Sequence, residues 1–119
     1  MKQIKIIEAY KVIRTLLDEK LAISTAYQIF KLKECLQSQW DFQYGEEQKL
    51  LSELQPQITE SGMEFKTTED ANKYRALINE LGEMEIELEL PHVCIPLNET
   101  AKLTPNNIEA LMDFVEFVE

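Results

Sequence analysis

The sequence predicts an α+β, helix-dominated fold: a long N-terminal helical hairpin plus a small antiparallel β element packed by two shorter helices. Three observations carry this reading. Apolar residues recur at helical spacing through residues 1–58. Residues 84–91, MEIELELP, alternate apolar and acidic without a break, the period of a strand with one covered face. Two helix starts are signposted, at Thr67 and at Thr104-Pro105.

In chain order, Ile6, Ala9, Tyr10, Ile13, Leu16 and Leu17 place an amphipathic helix over 4–20. Ser24 or Thr25 is the expected cap of a second helix, since a hydroxyl accepts from the free amides of a first turn. Its apolar positions include Ala26, Ile29, Phe30, Leu36, Trp40, Leu51, Leu54 and Ile58, so it runs from 25 to about 55 and stops near Pro56. Ile6, Tyr10, Ile13 and Leu17 then face Ile29, Phe30 and Leu36 in an antiparallel pair. Gly45 is the weak point, at a cost of about 1 kcal/mol against alanine in a helix interior. Whether the helix stays continuous there is left open.

Glu60-Ser61-Gly62 reads as a turn and Met63–Lys66 as a short strand. Thr67 or Thr68 opens a third helix with Ala71, Tyr74, Leu77, Ile78 and Leu81 on its buried stripe and Gly82 as C-cap. Met84, Ile86, Leu88 and Leu90 form one face of the next strand, and Val93, Ile95 and Leu97 resume the alternation after Pro91. The last helix starts at Thr104 and carries Ile108, Leu111, Met112 and Val115 on one face, widened by Phe114, Phe117 and Val118. The strands are expected to pack on Tyr74, Leu77, Ile108 and Leu111.

The chain of 119 residues fits one domain, 1–119. Residues 1–58 carry eight Lys+Arg and eight Asp+Glu, whereas residues 59–119 carry four basic and fourteen acidic side chains. The neutral part is the hairpin, and the net charge of −10 belongs to the acidic α/β part. With no basic footprint, direct nucleic-acid binding is disfavoured, and a basic protein partner suits the charge better. No apolar run reaches the roughly 20 residues a membrane helix needs, and the N-terminus lacks the pattern of a signal peptide. With no export signal, Cys35 and Cys94 are read as reduced thiols in a cytoplasmic protein.

DEKLAISTAY at the end of the first helix is followed by KLKECL and EEQKLL along the second, then INELGEMEIELEL, VCIPL and TPNNIEAL. This order resembles a family of small phage- and prophage-encoded proteins of Gram-positive bacteria with no assigned activity. The resemblance implies a bacterial-host cytoplasmic setting and transfers no catalytic residue.

Chemistry-bearing patterns are few. There is no P-loop, GxGxxG, GxSxG or HExxH, and the expectation is a non-enzyme with no catalytic residue, cofactor or metal. His92 and Cys94 point to the same side of a strand, but a zinc site needs three or four ligands. They are read as a strand-edge histidine and a small apolar cysteine. Trp40 and Tyr44 share a helix face at i, i+4, either packed within the hairpin or forming an aromatic contact for another protein.

Glu85, Glu87 and Glu89 stand on one strand face about 6.7 Å apart, which suits a solvated sheet face or a surface imitating nucleic-acid charge. The functional expectation is therefore a protein acting through protein–protein contacts and self-associating into a homo-oligomer. The alternative is an acidic inhibitor that occupies the basic groove of a nucleic-acid-binding protein.

Overall fold

The computed structural model describes residues 1–99 and 103–119. Four helices dominate: α1 (Gln3–Leu16), α2 (Ile23–Leu54), α3 (Thr68–Glu83) and α4 (Pro105–Leu111). The described residues also hold four short strands, β1 (Gln57–Thr59), β2 (Gly62–Glu64), β3 (Cys94–Pro96) and β4 (Glu116–Val118), and a 3-10 turn at Leu97–Glu99.

α1 is the hub, since α2, α3 and α4 all pack against it. Its buried residues are Gln3, Ile6, Ile7, Ala9, Tyr10, Val12, Ile13 and Leu16, more than half of the helix. A helix buried over so wide an arc is held by tertiary packing. Its core neighbours are Ile29, Leu32 and Leu36 of α2, Val93 and Ile95 around β3, and Leu111, Phe114 and Val115 at the end of α4. α1 stops at Leu16, short of the expected residue 20. The Thr15 hydroxyl donates to the Val12 carbonyl, and the Asp18 and Glu19 amides donate to the Thr15 and Leu16 carbonyls in a tightening turn. Leu17 is thereby left exposed instead of facing α2.

α2 starts earlier than expected, with Ala22 at the N-cap and no side-chain cap. Neither Ser24 nor Thr25 caps it, and Thr25 is buried inside the helix. Ile29 and Leu36 face the core as expected, whereas Phe30 is exposed. The helix runs unbroken through Gly45, 32 residues in all. Gln55 then takes a left-handed conformation (φ 46°), its amide donates to the Leu51 carbonyl, and Pro56 prevents continuation.

Ile58, assigned to the helix by its spacing, lies instead in β1. β1 pairs antiparallel with β2, so the strand near Met63 pairs with this neighbour and not with residues 84–90. Gly62, at φ 121°, supplies the turn conformation that other residues resist.

Thr67 caps α3 as expected, its hydroxyl accepting from the Asp70 amide at 3.1 Å. Gly82 is not a C-cap, because α3 continues to Glu83. It marks a close approach of helices: a Cβ there would sit 3.4 Å from Ile4 Cβ. Beyond α3 the chain from Met84 to Val93 forms no extended ladder, only a single antiparallel bridge between Lys2 and Glu85. The alternation nevertheless survives as burial, with Met84, Ile86, Leu88 and Leu90 half-buried and Glu83, Glu85, Glu87 and Glu89 exposed.

The start of α4 follows the sequence signal, the Thr104 hydroxyl accepting from the Asn107 amide and Pro105 filling the first turn. Its end does not. α4 stops at Leu111, and the chain continues into β4, which pairs parallel with β3. Phe117 and Val118 therefore belong to a strand, opposite Ile95 and Pro96.

Replacing Gly45 with alanine adds a Cβ that meets nothing within 4 Å. Gly45→Ala is expected to stabilise the fold by about 1 kcal/mol, read as a higher midpoint with unchanged slope in urea unfolding. Leu36→Ala, at a fully buried position, is expected to cost about 2–5 kcal/mol in the same measurement.

Candidate functional site

Three groups of side chains have chemistry to offer. The first is the acidic row. Its exposed side holds Glu83 at the end of α3 and Glu85, Glu87 and Glu89 on the segment that follows. The structure pairs half of it internally. Lys2 Nζ donates to Glu83 at 2.7 Å, and the amino group of Met1 donates to Glu85 at 3.1 Å. The hydrogen bond from Lys2 to Glu83, helped by the two negative charges, lifts the Lys2 pKa above its usual value. Glu87 and Glu89 form no ion pair among the described residues.

The second group is aromatic. Trp40 is half-buried and stacks on Tyr10, ring centroids 4.7 Å apart at an interplanar angle of 22°. The Tyr10 hydroxyl donates to Gln37 at 2.6 Å, so this stack fastens α1 to α2. Tyr44, one turn further, is 55% exposed. The two side chains share a helix face at i, i+4, yet one is committed inside the hairpin and the other is open to solvent. On the opposite end of α2, Ile23, Tyr27 and Phe30 are 88%, 58% and 47% exposed.

The third group was only half visible in the sequence. Val93 and Ile95 point into the core, which turns His92 and Cys94 outward on the same side. The parallel register sets Glu116 directly beside Cys94, and the Glu116 amide donates to the Val93 carbonyl at 2.8 Å. His92 Nε2, Cys94 Sγ and a Glu116 carboxylate oxygen converge within 4.8 Å of one another. Gln28 of α2 accepts from the Cys94 amide at 2.8 Å, so the strand is held from its other side as well. Partial burial, together with the Glu116 charge and its hydrogen bond to the thiol, pushes the Cys94 pKa up. Cys35 stands apart, its thiol donating to the Glu89 carbonyl at 3.3 Å, and partial burial raises its pKa. Glu116 was missed because it lies 22 positions from Cys94 and reaches it only through a parallel pairing that no local pattern signals.

Truncating Trp40 removes the stack on Tyr10, whereas truncating Tyr44 removes only an exposed ring. Trp40→Ala is expected to destabilise the chain by about 2–3 kcal/mol and Tyr44→Ala by less than about 0.5 kcal/mol, as measured by thermal unfolding. Equal losses would mean that the two rings are not divided in this way.

No family model, no curated protein and no solved structure matches this chain, so its function is argued from the geometry above.

Proposed function

We propose that the chain is a non-enzymatic protein that acts through protein–protein contacts and associates with a second copy of itself along α2. The observation that carries this reading is the exposed apolar stripe Ile23, Tyr27 and Phe30. These residues repeat at i, i+4 and i+7, so they share one helix face. Exposed residues scattered singly are ordinary, but aligned large apolar side chains are the usual mark of a contact surface.

Charge supports a second copy as the occupant. Residues 1–58 sum to zero, so two hairpins meet without the repulsion that the acidic half would impose. A two-fold contact uses the same patch on both copies. An antiparallel pairing centred on Tyr27 sets the stripe against itself. Lys31 lies over the Tyr27 ring at 5.1 Å, a rim cation flanking the apolar centre. In this reading Trp40 fastens the hairpin that presents the stripe, and Tyr44 extends the exposed surface. The family resemblance adds a phage or prophage setting in the bacterial cytoplasm. No helix among the described residues is long and apolar enough to cross a membrane.

A second reading has its own observation. Glu87 and Glu89 stand exposed beside Glu83 and Glu85, so the row fits a basic protein surface and would make the chain an acidic inhibitor of a nucleic-acid-binding protein. It is the weaker of the two, because Lys2 and the amino terminus already neutralise Glu83 and Glu85.

Sedimentation equilibrium separates these readings. Self-association predicts a mass above monomer that changes little between low and high salt and falls to monomer in the double variant Tyr27→Glu/Phe30→Glu. A monomer at all concentrations, with a partner lost on Glu→Gln at 85, 87 and 89 and released by salt, would favour the acidic row instead.

A further inference from the structure

We propose that His92, Cys94 and Glu116 form a binding site for a divalent metal ion of the zinc class, held by one imidazole nitrogen, one thiolate and one carboxylate. This site uses none of the exposed stripe residues Ile23, Tyr27 and Phe30, although Gln28 of the same helix anchors its strand.

The separations of the three donor atoms carry the argument. His92 Nε2 and Cys94 Sγ are 3.2 Å apart, Cys94 Sγ and the Glu116 oxygen 3.8 Å, and His92 Nε2 and that same oxygen 3.6 Å. A tetrahedral zinc ion, with bonds of about 2.0–2.3 Å, separates its nitrogen, sulfur and oxygen ligands from one another by about 3.4–3.6 Å. The three atoms thus already lie near three corners of the coordination shell, each within a few tenths of an ångström. Their chemistry selects the ion. A thiolate beside an imidazole favours zinc, cobalt and related borderline ions over magnesium and calcium, which take oxygen.

The backbone is fixed where the ligands attach. His92 and Cys94 alternate with core residue Val93, Glu116 is the register partner of Cys94, and Gln28 and the Val93 carbonyl anchor both sides. His92 and Glu116 are exposed, so an ion has direct access from solvent. On binding, the Cys94 thiol gives its proton to solvent and its sulfur becomes the metal-bound thiolate. Three protein ligands leave a fourth position for water. An ion held this way also staples β3 to β4, two strands of three residues each.

Without a metal, His92 and Glu116 form an ion pair whenever the imidazole is protonated, which is the competing use of the same atoms. Titration of the full-length, reduced protein with cobalt(II) distinguishes the two. The expected result is saturation at one ion per chain, a near-ultraviolet thiolate-to-cobalt charge-transfer band, and the intense visible bands of tetrahedral cobalt, all displaced by zinc(II). Cys94→Ser is expected to abolish the charge-transfer band, and Cys35→Ser to leave it unchanged. His92→Gln and Glu116→Gln, both at exposed positions, are expected to weaken binding at least about tenfold, the lower bound for losing even a supporting partner of a metal ligand. Absence of the band in the native protein, its survival in Cys94→Ser, or its loss in Cys35→Ser would overturn the site. So would unchanged affinity in both the His92 and Glu116 variants.

Discussion

Everything in this molecule leans on the burial of α1. Ile6, Ala9, Ile13 and Leu16 are almost wholly enclosed, and three other helices reach the core by packing on this one. A lone helix of 14 residues is marginal in water, so α1 exists because its neighbours cover it. Its first turn shows the same dependence. Lys2 provides no side-chain cap, and the Gln3 amide donates instead to the Met84 carbonyl at 2.9 Å. An orphan donor at one helix start is thereby satisfied by the segment that follows another helix. That bond, together with the Ile86 amide donating to the Met1 carbonyl, sets where the acidic row lies.

The division of charge has a structural counterpart. The neutral half folds into two helices with an apolar seam, and its outer face is free of strong repulsion. The acidic half contributes α3, α4 and β3, which pack on those two helices, while β1 and β2 pair with each other. Its carboxylates are directed outward, where a few cations of the neutral half meet them, as Lys5 does Asp113 and Lys2 does Glu83. These exposed ion pairs contribute little stability, since solvent screens them. What they do is fix which carboxylates remain available to another molecule.

The helical architecture was legible because its signals are local. The caps at Thr67 and Thr104 depend on residues three positions apart, and the seam of α1 and α2 is written in helical periodicity. What was misread depended on distant parts of the chain. Gly82 resembles a helix terminator until α1 is placed against it, where it is a point of close approach. Phe117 and Val118 have spacings that suit a helix face, and only the partner strand β3 decides otherwise. The alternation of residues 84–90 correctly foretold exposure, but alternation reports burial on one side and not hydrogen bonding to a neighbour. The candidate site divides along the same line. His92 and Cys94 were visible as a same-side pair, and Glu116 joins them only through a non-local register.

The bridge between Lys2 and Glu85 carries a consequence for the order of assembly. The helical hairpin closes over a short turn, so α1 and α2 are able to meet early, by contacts close in sequence. The first residues of the chain, however, must wait for a segment more than eighty positions away. Loops of that length close slowly, and they close late in synthesis. A nascent chain therefore passes through a stage in which the hairpin is formed but the start of α1 lacks its amide partner and its cover from α3. During that interval Ile4 lacks the close approach to Gly82 that seats α1 against α3. Capture of the beginning of the chain by residues 84–86 is thus one late step, and the packing of α4 on α1, joined across 108 positions by Lys5 and Asp113, draws on a still later part of the chain.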